Sequence, residues 1–423
     1  MQSSSIIFFV ILSVMLLYNI VKPWASKDRS LIWSPITPIT LTMIYYIVIP
    51  SCQDGFLYYN SRNVENQPLF YISSVLFYVC VLFQFNARIK GNYARWNSYF
   101  TVHNAQKLAL VLFVIALLCY VPFRGFRYTI ASEDAYNLTA RTGFVSYFID
   151  LISILVGSSC LAYVGLYNKH AWGIKRRLVL FIILYFALVL YIVGGFRYRI
   201  VMLILAFSTV YHLFPSPKKL NYKVLLPVAI VAYLGFAIMD VARTYGAGID
   251  IDRAGTISLD DASRGARENV DVMDFSIATI DYCAREDAYV LFEPIYNAIA
   301  MPIPRAFFPW KPDGQYMQDI QRKIIGNSDE GAAVMVIAEA FMMFSWLGVI
   351  MYGLFIGWLA KKIWYNYRMN SNSIGAILLL ALFNGFCYTW LSRGYMGGVF
   401  NDFVYFVVMP FLLTFFIKKV IKV

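Results

Sequence analysis

The chain has 423 residues, of which 60% are hydrophobic and only 14% are charged. Soluble globular domains carry about 25% charged residues, so this composition excludes a soluble protein and indicates an integral membrane protein. The net charge of +12 arises mainly from basic loops between apolar runs, and a nucleic-acid-binding function is not needed to explain it.

Apolar runs that are long enough to cross a bilayer recur along the whole chain. By the criterion of about 20 residues per span, we predict an all-α polytopic protein with about eleven transmembrane helices. The runs cover residues 6–21, 31–49, 69–85, 105–121, 144–167, 178–193, 200–214, 224–239, 334–359, 374–391 and 399–417. The first run has no basic segment before it and no small-residue cleavage site after it, so we interpret it as a retained span.

The basic residues predict the orientation of these spans. If the N-terminus lies outside, the inner loops contain twenty lysines and arginines, whereas the short outer loops contain seven. Basic residues accumulate on the cytoplasmic side of membrane proteins. The bias therefore predicts an N-terminus outside and, with an odd number of spans, a cytoplasmic C-terminus.

One connection is far longer than the others. Residues 240–333 contain sixteen acidic and nine basic residues, so this loop is acidic although the whole chain is basic. A long loop in a compact protein is usually functional or disordered. We therefore predict eight transmembrane helices in residues 1–239, one large extracytoplasmic loop in residues 240–333, and three further transmembrane helices in residues 334–423.

Several cations are predicted at the outer boundary of the membrane. The main candidates for binding a diphosphate are Arg197, Arg305 and Arg393, and the secondary candidates are Arg199, Arg243 and Lys311. A guanidinium group binds phosphate oxygens through two parallel hydrogen bonds and stabilises charge that develops on a leaving group. The alternative is that these side chains only anchor helix ends at the lipid headgroups.

Three acidic residues lie in or at the ends of predicted spans. Glu339 is inside a span, where a carboxylate costs up to about 2.5–3.5 kcal/mol on insertion scales. It is a candidate catalytic base for an acceptor hydroxyl, and also a candidate partner that positions an arginine. Asp150 and Asp402 lie at outer helix ends, and for both we favour structural pairing, with Arg141 and Arg393 as the partners.

Aromatic residues surround the segment that contains Arg305. Phe308, Trp310 and Tyr316 are candidates for sugar contacts, although an aromatic belt at the membrane interface is the commoner arrangement. The sequence Asp250-Ile251-Asp252 has the form of a metal-binding DxD motif, but its Gly- and Asp-rich surroundings favour a solvated turn. We therefore expect no metal site and no cofactor.

The motifs of residues 302–348 resemble those of a known enzyme family. The series is Pro302-Ile303-Pro304-Arg305, Phe308-Pro309-Trp310-Lys311-Pro312, Ala338-Glu339-Ala340-Phe341 and Trp346-Leu347-Gly348. Together with Gly194-Gly195-Phe196-Arg197 and Ser392-Arg393-Gly394, this series is similar to the oligosaccharide repeat-unit polymerases, the Wzy-type O-antigen and exopolysaccharide polymerases.

The resemblance implies a GT-C-like fold and a glycosyltransferase of the bacterial inner membrane. Such an enzyme moves a growing chain from undecaprenyl diphosphate to the non-reducing end of an incoming lipid-linked repeat unit. The donor and the acceptor are then both lipid-linked oligosaccharides, and a flippase and a chain-length regulator are candidate partners. Two other functions stay open, an O-antigen ligase-type transferase and a polysaccharide flippase or transporter. The loop lacks the histidine expected of the ligases, and the chain shows no internal repeat of the transporter kind.

Overall fold

The computed structural model describes residues 3–53, 66–87, 100–124, 150–168, 173–193, 197–218, 243–244, 248–249, 268–304, 307–311, 316–325 and 333–421. Helices dominate this part of the chain. The strands within it are β1 (Arg243–Thr244) and β2 (Gly248–Ile249), which form one short antiparallel pair.

Eight helices of the described residues precede the long loop. They are α1 (Ser3–Ala25), α2 (Ile36–Met43), α3 (Ile49–Gln53), α4 (Gln67–Asn86), α5 (Val102–Arg124), α6 (Ile154–Gly165), α7 (Gly173–Val193) and α8 (Arg197–Leu213). A π-helical turn, Ile44–Val48, joins α2 to α3, and 3-10 helices at Arg29–Trp33 and Leu151–Ser153 precede α2 and α6.

The long loop and the C-terminal region contain the remaining helices. The loop contributes α9 (Glu268–Glu286), α10 (Glu293–Ala300) and α11 (Tyr316–Ile325). The C-terminal region contributes α12 (Val336–Met369), α13 (Ile374–Ser392), α14 (Met396–Phe403) and α15 (Met409–Ile421). A second π-helical turn, Val404–Val408, joins α14 to α15.

Six helices of the described residues are long and apolar enough to cross a membrane. They are Ser4–Ala25, Gln67–Asn86, Val102–Val121, Val336–Met369, Ile374–Ser392 and Met396–Ile417. Shorter apolar helices lie at Ile36–Cys52, Leu151–Gly165 and Tyr198–Leu213, and α7 coincides with the predicted run 178–193. The chain is therefore an all-α polytopic membrane protein. The predicted run 224–239 lies outside the described residues, so the total of about eleven spans stays a prediction.

Helix α13 forms the centre of the bundle. In the most apolar stretch of α13, 89% of the residues are buried, compared with 17% in the corresponding stretch of α1. Helix α13 packs against α2, α8 and α12. A helix that is apolar on all sides is stable where protein surrounds it. Helix α1 presents much of its surface outward, as expected of a span that faces lipid.

Helix α12 is broken near its N-terminal end. Phe344 and Ser345 have non-helical backbone angles, and Ser345 has φ of 53°. The carbonyl of Met342 accepts a hydrogen bond from the Val290 N–H at 3.0 Å, so the break does not leave this carbonyl unpaired in the membrane. The break also explains why the motif has glycine at position 348, because a Cβ there would lie 1.9 Å from the carbonyl oxygen of Ala340.

Candidate active site

Glu339 lies in the first turn of α12 and is completely buried. One carboxylate oxygen, Oε1, accepts hydrogen bonds from the Tyr316 hydroxyl at 2.5 Å and from the Met396 N–H at 2.7 Å. Among the described residues, both donors to Glu339 are uncharged. Hydrogen bonds to a carboxylate are stronger than those between neutral groups, so Glu339 fixes the positions of both donors.

The two donors belong to separate segments. Tyr316 begins α11 of the long loop, and Met396 begins α14. Burial raises the pKa of the Tyr316 phenol far above its usual value, and the neighbouring Glu339 carboxylate raises it further. Tyr316 therefore stays protonated and continues to donate to Glu339 at neutral pH.

Backbone contacts hold the same region together. The Gly394 N–H donates to the carbonyl of Val334 at 2.6 Å, and the Met335 N–H donates to the Ser276 hydroxyl of α9 at 2.7 Å. A Cβ on Gly394 would lie 2.6 Å from the carbonyl oxygen of Met335. The close approach of these two backbones requires glycine at this position, which gives the predicted Ser392-Arg393-Gly394 motif a structural reason.

A cavity of about 390 Å³ opens between these segments. Its polar lining consists of Gln318 and Gln321 from α11, Thr389 and Arg393 from the end of α13, and Asp402 from α14, with Tyr198 and Tyr395 as aromatic walls. Ligand sites commonly have volumes of about 300–1,000 Å³ and a few convergent polar groups. Helices α11 and α14 both contribute to the lining, and Glu339 accepts a hydrogen bond from the first residue of each of them.

Arg199 forms a buried ionic cluster next to the cavity. Its guanidinium lies 3.2 Å from Asp150 Oδ1 and 3.9 Å from Asp402 Oδ1, and its side chain is only 5% exposed. Asn401 donates to the other oxygen of Asp150 at 3.1 Å. Of the two partners that we expected for these acids, Arg141 lies outside the described residues, and Arg393 lines the same cavity as Asp402. Arg199 is the described guanidinium that contacts both acids. A buried arginine at a helix end is stable when acids balance its charge.

Arg393 reaches the cavity directly. It is partly buried, lines the cavity, and lies over the Tyr198 ring with a distance of 5.6 Å from its Cζ to the ring centroid. The aromatic face supports the guanidinium plane at the cavity. Of the predicted cations, Arg393 is therefore the one that the described structure places at this cavity.

Lys311 has a different environment. It is 8% exposed, and its Nζ donates to the carbonyls of Met301 at 2.6 Å and Ile303 at 3.2 Å. These carbonyls follow α10 in a segment that contains Pro302 and Pro304. Lys311 thus supports the backbone of this segment.

The three predicted aromatic residues occupy two environments. Tyr316 is buried and donates to Glu339. Trp310 is 75% exposed, and its ring packs against that of Phe308 at 5.4 Å. The cavity lining contains neither Phe308 nor Trp310.

Three predicted cations are only partly described or not described. Arg305 lies outside the described residues. Arg197 and Arg243 are described for their backbones alone, as the first residues of α8 and β1. Within the described ranges, no group of three or more His, Cys, Asp or Glu side chains is arranged to hold a metal ion.

Most residues that line the cavity were not predicted from the sequence. Gln318, Gln321, Thr389 and Tyr395 are polar residues next to recognised motifs, but uncharged side chains carry little signal without a fold. Asp402 was detectable as an acid in an apolar run, and we assigned it only a structural role. Its position at the cavity wall became evident only from the packing of α14 against α13.

Comparisons of this chain with protein-family models, with curated proteins and with solved structures gave no match.

Proposed function

We propose that this chain is a membrane glycosyltransferase that joins lipid-diphosphate-linked oligosaccharide repeat units at the outer face of a bacterial inner membrane. The observation that supports this best is the cavity between α11, α13 and α14. It combines a guanidinium group, two carboxamides, a hydroxyl and a carboxylate in one space of about 390 Å³. This set of groups suits a substrate that carries both an anionic diphosphate and several sugar hydroxyls.

Arg393 is the proposed diphosphate-binding residue of this cavity. Its planar guanidinium group matches phosphate oxygens and stabilises the negative charge that builds up as the diphosphate leaves. Arg197 and Arg305, which the sequence motifs select, are proposed as further cations of the same site. In this proposal Arg199 holds Asp402 in place, since Asp150 and Asp402 already balance its charge.

The sugar part of the substrate is assigned to the remaining lining. Gln318, Gln321 and Thr389 offer donors and acceptors to hydroxyl groups, and the faces of Tyr198 and Tyr395 suit the apolar side of a sugar ring. Asp402 is the acidic residue in the lining, so we assign it the role of accepting the proton of the acceptor hydroxyl. Glu339 accepts hydrogen bonds from the first residues of α11 and α14, two helices that line the cavity, and we assign it the positioning of these helices.

The proposed reaction is a single transfer. The hydroxyl oxygen of the acceptor sugar bonds to the anomeric carbon of the donor chain while the bond from that carbon to the lipid diphosphate breaks. The proton of the hydroxyl passes to Asp402, and the bonding electrons leave with the diphosphate, where the arginines stabilise them. The products are a lengthened chain on the acceptor lipid and free lipid diphosphate.

Deletion of the gene tests the proposal in cells. Without this chain, we expect single lipid-linked repeat units to accumulate and the ladder of longer polysaccharides to disappear. Restoring the wild-type chain should restore the ladder, and restoring the Arg393→Ala variant at equal expression should not. A ladder of normal length in the deletion strain would contradict the proposal. Loss of polysaccharide attachment to lipid A core, with the ladder on the lipid carrier intact, would instead favour a ligase.

A further inference from the structure

Helix α10 has its apolar side facing outward. Its buried residues are small or polar, namely Pro294, Asn297, Ala298 and Ala300. Its large apolar side chains are exposed, with Ile299 at 63% and Tyr296 at 47%. A helix on a water-facing protein surface has the opposite arrangement, with apolar residues against the core.

The other two loop helices provide an internal comparison. In α11 the apolar Met317 and Ile320 are buried, while Asp319 and Arg322 are exposed and form an ion pair at 3.8 Å. In α9 the apolar Met273 and Ile277 are likewise buried. Both helices have the pattern expected for contact with water on the outer side. Helix α10 therefore differs from its neighbours in the same loop.

The exposed apolar surface extends beyond α10 in both directions. Phe292, which precedes the helix, is 69% exposed, and Phe307 and Trp310, which follow it, are 76% and 75% exposed. An apolar surface of this extent marks contact with another apolar phase.

This surface is continuous with the lipid-facing side of a transmembrane helix. The ring of Phe292 packs against that of Phe344 in α12 at 4.9 Å. About one and two turns further along α12, Leu347 and Met351 are 58% and 54% exposed. Because α12 is a membrane span, the same phase that covers Leu347 and Met351 extends to α10.

The backbone that follows α10 is also adapted to an apolar environment. A helix end leaves carbonyls without intrahelical partners, and hydrocarbon supplies none. Here Lys311 Nζ donates to the carbonyls of Met301 and Ile303. The buried lysine thus supplies donors to carbonyls that follow the helix, which hydrocarbon cannot do.

We infer that α10, together with Phe307 and Trp310, is inserted into the leaflet on the side of the long loop, with acyl chains covering Ile299, Phe307 and Trp310. Interfacial helices bind membranes in this way, with their apolar face among the acyl chains. On its other side α10 packs against α14, where a Cβ on Gly397 would lie 3.5 Å from Asn297. The next residues of α14, Gly398 and Val399, line the cavity. One helix thus separates α10 from the candidate active site. The inference concerns the location of α10 and does not depend on the proposed function.

Spin labels test the inference in the full-length protein. The exposed Cys52 is replaced by serine, and the signal of this protein without an introduced cysteine is subtracted. The variants are Ile299→Cys and Phe307→Cys, reconstituted into vesicles of phosphatidylethanolamine and phosphatidylglycerol. Met351→Cys is the control for lipid, and Lys323→Cys, on the polar face of α11, is the control for water. The measurement is the collisional accessibility of each label to oxygen, which concentrates in hydrocarbon, and to a neutral nickel chelate, which stays in water.

We expect the labels at 299 and 307 to favour oxygen over the nickel chelate, as the label at 351 does. Two positions are used so that a folding defect in one variant does not decide the result. Accessibility at both positions equal to that at 323 would overturn the inference, since α10 would then face water. Low accessibility to both reagents would also overturn it, because a second protein surface would then cover the helix.

Discussion

The hydroxyl of Tyr316 lies 2.5 Å from Oε1 of Glu339, and this bond ties a helix of the long loop to a buried carboxylate of a membrane span. The same oxygen accepts the Met396 N–H at 2.7 Å. Tyr316 and Met396 begin α11 and α14, which both line the cavity, so one carboxylate connects two of the segments around it. The cost of burying Glu339 is thereby offset by hydrogen bonds that shape the site.

Tyr316→Phe should loosen α11 without unfolding the bundle. The variant removes a donor and leaves the buried carboxylate with one bond, which costs about 1–3 kcal/mol. We expect backbone amides of α11 to exchange hydrogen about tenfold faster or more, and trypsin to cleave sooner after Arg322 and Lys323. Tyr296→Phe, at a half-exposed position of α10, is the control and should change neither rate. Unchanged exchange in Tyr316→Phe would show that the bond does not hold the loop.

Gly394→Ala should damage the site by displacing the backbone. The new Cβ would lie 2.6 Å from the carbonyl oxygen of Met335, so the contact between Gly394 and Val334 cannot persist unchanged. Overpacking of this kind costs about 1–3 kcal/mol, and we expect a lower unfolding temperature in detergent together with loss of product. Gly397→Ala is the matched control, because its nearest atom would be at 3.5 Å. Equal behaviour of the two variants would refute this explanation of the motif.

Arg199→Met should destabilise the protein strongly. It leaves Asp150 and Asp402 without their shared cation, and removal of one partner from a buried ion pair costs about 3–5 kcal/mol. Adding Asp150→Asn and Asp402→Asn should recover much of the unfolding temperature, since the uncompensated charges are then gone. If Arg199 instead acted mainly as a substrate-binding cation, the single variant would fold normally and the triple variant would be no more stable than the single one.

Arg393→Lys should fold normally and lose most of its activity. Lysine keeps the positive charge but cannot form two parallel hydrogen bonds with a phosphate group. Loss of a contact that strengthens as the leaving group departs is worth about 2.7–4 kcal/mol, or about a hundredfold or more in rate. The sequence motifs predict the same result for Arg305→Lys. Near-wild-type turnover of either variant, at matched expression, would show that the residue only anchors the chain at the headgroups, a role that lysine also fills.

The sequence predicted the bounds of the membrane helices better than the breaks within them. Apolar runs identified α1, α4, α5 and α13 closely, because length and hydropathy determine a span. The same criterion treated α12 as one continuous run, whereas Phe344 and Ser345 interrupt it. The break depends on a replacement donor, the Val290 N–H, which is distant in sequence. Hydropathy carries no information about such a partner.

The candidate site was predictable in its residue types but not in its pairings. The cost of a carboxylate in a span correctly singled out Glu339 as a residue that needs a partner. The sequence analysis considered an arginine for that role, and the structure supplies Tyr316 and a backbone N–H. Likewise the sequence did not identify Arg199 as the cation that contacts both Asp150 and Asp402. Pairings of this kind depend on how helices that are distant in the chain pack, which periodicity and charge do not encode.

The central claim is that this chain by itself joins two lipid-linked repeat units. In the most direct measurement, the purified, reconstituted protein is incubated with an undecaprenyl-diphosphate-linked oligosaccharide repeat unit of the source cell. The masses of the products are then determined by mass spectrometry. We predict a lipid-linked product with two or more repeat units and an equal release of undecaprenyl diphosphate for each bond formed. Recovery of the substrate unchanged, with an active preparation verified by binding of the lipid diphosphate, would contradict the account.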